Sequence, residues 1–362
     1  MQQERSTRRR RLAGLLALAL LLAAQSGLSA PDEEAAVSAA AFGPTQQPEE
    51  VVPLGCAVGI KLFSQGVLVV GLSPIETSGT SVSPGRAAGL KTGDVITHIN
   101  GQEVNTIEQV QALLKKLGGQ KLTLRVLRGE KTLQLAASAV QGAQGAYQLG
   151  VWLRDSMAGI GTLTFYDPDT GVFAALGHGI NDVDTAMLMP LHAGSIMPAT
   201  VVDVKKGASG SPGELHGSFD LTRDLGSLYA NTQLGVYGVL EDDIDGLRGP
   251  TPVADRGEVS LGEATILSNI QGEQVEEYAI KITHIYPNVP GETRNLMVEI
   301  TDPRLLETTG GIVQGMSGSP ILQNGRLVGA VTHVLVNDPT RGYGILAEAM
   351  LEQAVWQQAQ VS

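Results

Sequence analysis

Gly315-Met316-Ser317-Gly318-Ser319-Pro320 runs directly into two short apolar strands, Ile321-Leu322 and Leu327-Val328-Gly329-Ala330-Val331, joined by Asn324-Gly325. This segment constrains the fold more than any other. An Asn-Gly pair between apolar runs signals a hairpin, so Ser317 is expected in a tight turn ahead of antiparallel β-structure. Glycines on both sides of the serine let successive backbone N–H groups point at one spot, where they can stabilise a developing oxyanion. A serine hydroxyl is a weak nucleophile and needs a base within hydrogen-bond reach. The rest of the chain must supply that base.

With 362 residues and 43% hydrophobic content, the chain can bury sizeable cores and is expected to form two domains. Its 45 glycines and few aromatics favour strands and turns over helical bundles. The formal net charge is −12; the first 30 residues hold five arginines and one acid, so the remainder carries 20 basic and 36 acidic residues, or −16. An acidic body of this kind excludes phosphate-dominated nucleic-acid binding, which needs clustered Lys and Arg. A single cysteine, Cys56, allows no internal disulfide and says little about compartment.

Arg8 to Arg11 precede the apolar run Leu12–Ala24, the charged region and core of an export signal. The run is short for a membrane span, which needs roughly 20 apolar residues. Leu28-Ser29-Ala30 has the form of a cleavage site but Pro31 follows it, so a cleaved signal and a retained anchor both stand. Residues 1–30 are therefore assigned to export or anchoring, and residues 31–50, rich in Ala, Pro, Gln and Glu, to a flexible linker. In either case the body is expected outside the cytoplasm.

Residues 51–140 alternate short strands with two helical segments. Ser83-Pro84 opens one and Gly89 closes it; the other, Glu108 to Leu117, lines up Val110, Leu113, Leu114 and Leu117 on one face. Together with Ala87-Ala88-Gly89-Leu90, Gly93-Asp94-Val95-Ile96 and Ile99-Asn100-Gly101, this segment resembles a PDZ domain of the bacterial protease type. The resemblance implies peptide binding by strand addition, with backbone N–H groups capping a terminal carboxylate. The expected capping loop is Leu54 to Ile60, with Val58, Gly59 and Ile60 opening the binding strand and the Glu108–Leu117 helix as the far wall.

From 141 to 362 the chain is strand-rich, with Gly-, Asp- and Pro-rich turns at the spacing of an antiparallel barrel or sandwich. Among six histidines, His178 stands in Leu176-Gly177-His178-Gly179, a glycine loop free to bring an imidazole to another segment. A histidine upstream of the serine turn follows the order of chymotrypsin-like enzymes. A second turn, Gly207-Ala208-Ser209-Gly210-Ser211-Pro212, repeats the spelling of the first but lacks the apolar hairpin behind it, and Ser317 is preferred. No H-E-x-x-H, cysteine cluster or G-x-x-x-x-G-K occurs, so neither metal nor cofactor is expected.

The histidine loop, the PDZ-like module, Gly315–Pro320, Gly329-Ala330-Val331-Thr332-His333 and Asn337-Asp338-Pro339 together resemble the stage IV sporulation protein B peptidases of endospore-forming bacteria. The resemblance implies a mainly β chain, a PDZ domain followed by a trypsin-like double β-barrel. It implies a secreted or tethered serine peptidase acting between the two forespore membranes. It further implies cleavage of the chain itself and of the regulatory subunit of a membrane complex that controls sigma-factor processing, with PDZ recognition of peptide segments. By resemblance Ser317 is the nucleophile, His178 its base and Asp302 the acid. Asp302 begins an Asp-Pro pair, itself a common turn former, and Asp182, Asp184 and Asp203 stand in reserve. Gly315 and Ser317 would supply the oxyanion donors, and Thr332 and His333 would line the specificity pocket, with a structural role for His333 equally open. A non-catalytic PDZ scaffold built on a degenerate peptidase fold is the competing reading.

Overall fold

The structure, a computed structural model, describes residues 48–77, 79–242, 244, 248–287 and 293–361. The expected export segment and nearly all of the expected linker lie outside them. Among the described residues no helix is long and apolar enough to cross a membrane.

The chain opens with β1 (Glu50–Pro53) and β2 (Ala57–Leu72), and β2 runs on into a small α/β module. The module holds helix α1 (Pro84–Ala87), β3 (Val95–Ile99), helix α2 (Ile107–Leu117), β4 (Lys121–Arg128) and β5 (Lys131–Ser138). Helix α2 forms because Thr106 accepts a hydrogen bond from Gln109 N–H while the Gln109 side chain reaches back to the Thr106 backbone. Its apolar face buries Val110, Leu113 and Leu114 against Val67, Val69, Ile96, Leu124 and Leu149. Full burial of each such side chain is worth about 1.5–3 kcal/mol.

β6 (Val151–Tyr166) leaves the module and lies antiparallel to β2 from Val151 opposite Leu72 to Thr162 opposite Ala57, with register breaks at Trp152/Leu153 and Arg154/Ser156. The next strands are β7 (Val172–Ala175), β8 (Leu191–Lys205), β9 (Glu214–Phe219), β10 (Gly226–Thr232) and β11 (Gly235–Leu240). The pairings β2–β6, β6–β7, β7–β11, β11–β10, β10–β8 and β8–β2 close a ring of six strands, the first barrel.

The second barrel is built from β12 (Gly262–Gln271), β13 (Gln274–Ile285), β14 (Leu296–Ile300), β15 (Pro320–Gln323), β16 (Arg326–Leu335) and β17 (Asp338–Leu346). It closes in the order β12-β13-β14-β17-β16-β15 around Ile266, Ile280, Val298, Ile321 and Val331. Helix α3 (Pro303–Thr309) bridges β14 to the serine turn, and helix α4 (Ala347–Val361) ends the chain. Met350 and Leu351 of α4 join Phe165 and Tyr237 of the first barrel to Leu327 and Ile345 of the second in one core.

The expected 51–140 boundary of the small module shifts. Val52 pairs with Tyr166, and residues 58–64 pair with β8, so this stretch consists of barrel strands. The module is an insertion between the two longest strands of the first barrel. β2 reads as one apolar run, and periodicity does not show where a strand passes from one sheet to another.

Candidate active site

Ser317 sits in the turn between α3 and β15. Gly318 (φ +98°) is obligatory there: a Cβ would stand 2.2 Å from Thr162 O and 2.7 Å from Leu176 N. That close approach presses the serine turn onto β6 and the start of the histidine loop. The turn is pinned by Met316 N–H to Val313 O (3.1 Å), Gly318 N–H to Val331 O (2.7 Å) and Ser319 N–H to Met316 O (3.0 Å), with Met316 fully buried. From β6, the Thr162 hydroxyl donates to Gly315 O (2.7 Å) and its N–H donates to Ser317 O (3.2 Å). The peptide plane between Gly315 and Met316 is thus held at both ends. On either side of it, the N–H groups of Gly315 and Ser317 have no acceptor among the described residues.

His178 follows Leu176, whose positive φ (+69°) is a strained conformation for a side-chain-bearing residue. A Cβ on Gly177 would stand 2.9 Å from Thr332 Cγ2, so the histidine loop packs on the strand behind the serine turn. His178 Nδ1 donates to Gly179 O (2.9 Å), which leaves Nε2 as the basic nitrogen. Burial pushes its pKa below the ordinary histidine value, against the Gly179 hydrogen bond that raises it. Asn231 clasps the same loop, accepting from Ile180 N–H and donating to Ile180 O and Met189 O.

Asp182 anchors the loop from below. Its buried carboxylate accepts from Thr185 N–H and Oγ1 (both 2.8 Å), Asp184 N–H (3.1 Å) and Arg154 of β6, which also pairs with Asp184 (2.7 Å). Burial raises the Asp182 carboxyl, but Thr185 and Arg154 outweigh it and hold the pKa below the usual range. A single strand, β6, therefore grips the histidine loop through Arg154 and the serine turn through Thr162.

The Ser317 hydroxyl donates to Thr332 O (2.7 Å) and makes no hydrogen bond to His178. The His178 and His333 rings lie 5.0 Å apart, and His333 Nδ1 is buried without a partner among the described residues. Burial, then the neighbouring His178 and Arg294, lower the His333 pKa to about 4. Thr332 and His333 thus adjoin both Ser317 and His178.

Asp302 stands elsewhere. It caps α3, accepting from Arg304 N–H (2.9 Å), the Arg304 guanidinium and Ala279 N–H, and no hydrogen bond joins it to His178. Those bonds, led by the Arg304 side chain, lower its pKa to about 2. The partner of His178 Nδ1 is the backbone carbonyl of Gly179, not Asp302. Asp203 is exposed on β8, and Ser209 lies on an exposed turn with its hydroxyl on Asn337 O (2.8 Å).

Val58, Gly59 and Ile60 are placed differently from their expected PDZ role. They are buried in β2 between β6 and β8, facing Gly161, Ile160 and Gly159 on one side and Pro198, Met197 and Ile196 on the other. With both edges paired, they cannot receive a peptide strand. Helix α2 instead borders the start of β6: Ile107 N–H donates to the Asp155 carboxylate (2.8 Å), and Tyr147 packs against Gly118. The signal for this was present as Leu149-Gly150-Val151, a glycine ahead of a strand. Among the described residues no cluster of three or more His, Cys, Asp or Glu could hold a metal ion.

Residues 145–351 match the family model of the SpoIVB peptidase S55, and residues 78–128 match a PDZ domain. The zinc metalloprotease RasP of Shouchella clausii is 37% identical over 84 residues, 23% of this chain and 19% of its own length, so the chain spans well under two thirds of that relative. Among solved structures, the Rv3671c protease of M. tuberculosis in its active form covers 56% of this chain and 74% of its own at 15% identity, with a TM-score of 0.31. The inactive form gives 57% and 85% at 16% identity, with a TM-score of 0.29. With the S55 model spanning more than half of its length, around the turn of Ser317 and the loop of His178, the chain belongs to the SpoIVB peptidase S55 family, a family of serine peptidases.

Proposed function

We propose that this chain is a serine endopeptidase in which Ser317 is the nucleophile and His178 the general base. The observation that carries this is the pair of unengaged N–H groups at Gly315 and Ser317 beside the serine, while His178 of the adjoining loop has Nδ1 on Gly179 O and keeps Nε2 as its basic nitrogen. In the reaction, the Ser317 hydroxyl turns from Thr332 O to Nε2, loses its proton there and attacks the scissile carbonyl. The oxyanion is stabilised by the two N–H groups. The Nε2 proton passes to the departing amine, leaving an acyl-enzyme. Water then gives a proton to Nε2 as its hydroxide attacks the ester; Ser317 recovers the proton and the new carboxyl end leaves. The Gly179 carbonyl holds the tautomer but brings no negative charge to the imidazolium, so the dyad is weaker than one backed by a carboxylate.

The family further supports a regulatory role in sporulation, outside the cytoplasm in the space between the forespore membranes. There the peptidase cuts itself and the regulatory subunit of the membrane complex governing sigma-factor processing. Ser317→Ala should abolish self-cleavage of the pure full-length protein and fluorophosphonate labelling. Processing that persists in Ser317→Ala, or label found on Ser209, would overturn the assignment.

A further inference from the structure

β6 is paired along one edge only through most of its length. β2 covers one side from Val151 to Thr162, whereas on the other side pairing with β7 starts at Leu163. None of residues 151–160 is buried, and no backbone hydrogen bond reaches their open edge among the described residues. Exposed strand edges invite another chain, and folded proteins ordinarily cover or charge them. This edge is long, carries register breaks only at Trp152/Leu153 and Arg154/Ser156, beside the Asp155 contact to Ile107 of α2, and both of its ends are built.

At the upstream end, Leu149 O accepts from Gly85 N–H (2.7 Å) and Gly150 O accepts from Ser73 N–H (3.0 Å). The N–H groups of Leu149 and Gly150 have no acceptor among the described residues, and Gly150 takes the left-handed conformation (φ +69°). Carbonyls engaged and N–H groups unengaged make a nest for an anion such as a carboxylate. At the downstream end, Thr162 N–H points off this same edge to Ser317 O, while the next N–H, of Leu163, points the other way to Cys56 O (3.0 Å). The open edge therefore ends on the nucleophile turn. Beside it, Met157, Ile160, Leu176 and Ile180 line an apolar cleft reaching the His178 loop.

We infer that β6 is a ruler: the substrate segment after the scissile bond adds to its open edge as an antiparallel strand, with the chain's C-terminal carboxylate on Leu149 and Gly150. A peptide whose last residue sits at the start of β6 must run antiparallel to it, so its preceding residues lead toward Ser317. Val151 to Thr162 is eleven steps, about 36 Å at roughly 3.3 Å per residue. A substrate strand paired residue for residue, without the register breaks that β2 shows at Trp152/Leu153 and Arg154/Ser156, places the scissile bond about ten residues from its end. The substrate class is a protein with a free, extended C-terminal tail, apolar near the cut. This rests on the serine peptidase reading above.

The test uses pure full-length protein and a synthetic library of random-sequence peptides of about 30 residues with free C-termini, cut sites being mapped by mass spectrometry. Cuts should cluster about ten residues from the end, C-terminal amidation should slow them at least about tenfold, and lengthening the tail should move the cut with the end. Pairing is regular from Ser156 to Thr162, so Ala158 N–H points off the open edge like that of Thr162. Ala158→Pro removes that donor without touching the β2 ladder; it should lower library cleavage while Ser317 labels with fluorophosphonate as before. Cuts unrelated to the end and indifferent to amidation, in protein that labels at Ser317, would overturn the ruler and leave the peptidase reading standing. Protein that neither labels nor cuts would overturn both.

Discussion

Thr162 offers the sharpest perturbation, because one hydroxyl and one N–H of β6 fix the geometry of the serine turn. Thr162→Val exchanges the hydroxyl for a methyl in a residue only 2% exposed, preserving shape and strand preference. Gly315 O then loses its 2.7 Å donor inside the protein. A buried carbonyl without a partner costs about 1–3 kcal/mol. That penalty falls on the observed turn conformation, since the affected peptide plane lies between the unengaged N–H groups of Gly315 and Ser317. At 1.36 kcal/mol per tenfold in rate, kcat should drop about 5- to 150-fold with KM little changed. Melting should fall by about 2–4 °C for each kcal/mol. Thr162→Ser, which keeps the hydroxyl, should recover most of both. Fluorophosphonate labelling rates and differential scanning calorimetry measure the two effects. A Thr162→Val protein that labels at the wild-type rate would show that the turn holds its geometry without β6.

Arg154→Ala should leave the buried Asp182 carboxylate without its partly exposed guanidinium, a loss of about 1–3 kcal/mol, and hydrogen exchange should quicken across residues 178–189; unchanged protection there refutes the anchoring role. Asp302 titrates below its ordinary value of 3.8, so its stabilisation is complete above about pH 4 and lost as pH falls through about 2. Asp302→Ala should therefore melt lower at neutral pH, by about 1 kcal/mol from the cap alone, and the deficit should shrink toward pH 2. A deficit that persists unchanged in acid would count against the Arg304 pairing. His178, lowered from 6.5 by burial, must be neutral to act as base; kcat/KM should rise with pH on a limb centred below 6.5, and a midpoint above 7 would point to another base.

The serine turn, its hairpin and helix α2 were legible because each is written locally: paired glycines, Asn324-Gly325, and apolar residues at helical spacing behind Thr106. The two barrels and the approach of His178 to Ser317 followed from strand spacing and family likeness. Val58–Ile60 misled because an apolar strand carries no mark of its neighbours, and β2 serves two sheets in succession. Asp302 shows the same limit from the other side: Asp-Pro ahead of a helix states the cap plainly, and nothing local links it to an imidazole. Thr162 and the Arg154–Asp182 pair were invisible, since the contacts 153 and 28 residues apart exist only once β6 lies against both loops.

The insertion of the small module between β2 and β6 also weights the order in which the molecule assembles. Residues 73–150 separate the innermost paired residues, Leu72 and Val151. Closing an unfolded loop of that length costs roughly 4 kcal/mol in chain entropy, against about 1 for a tight turn. Once the module folds, that loop shrinks to the width of two neighbouring strands, and the first barrel can close. As the chain emerges from synthesis, a module that folds first removes most of that cost before the later barrel strands arrive. A chain whose module fails to fold carries the full loop cost into closure of the first barrel.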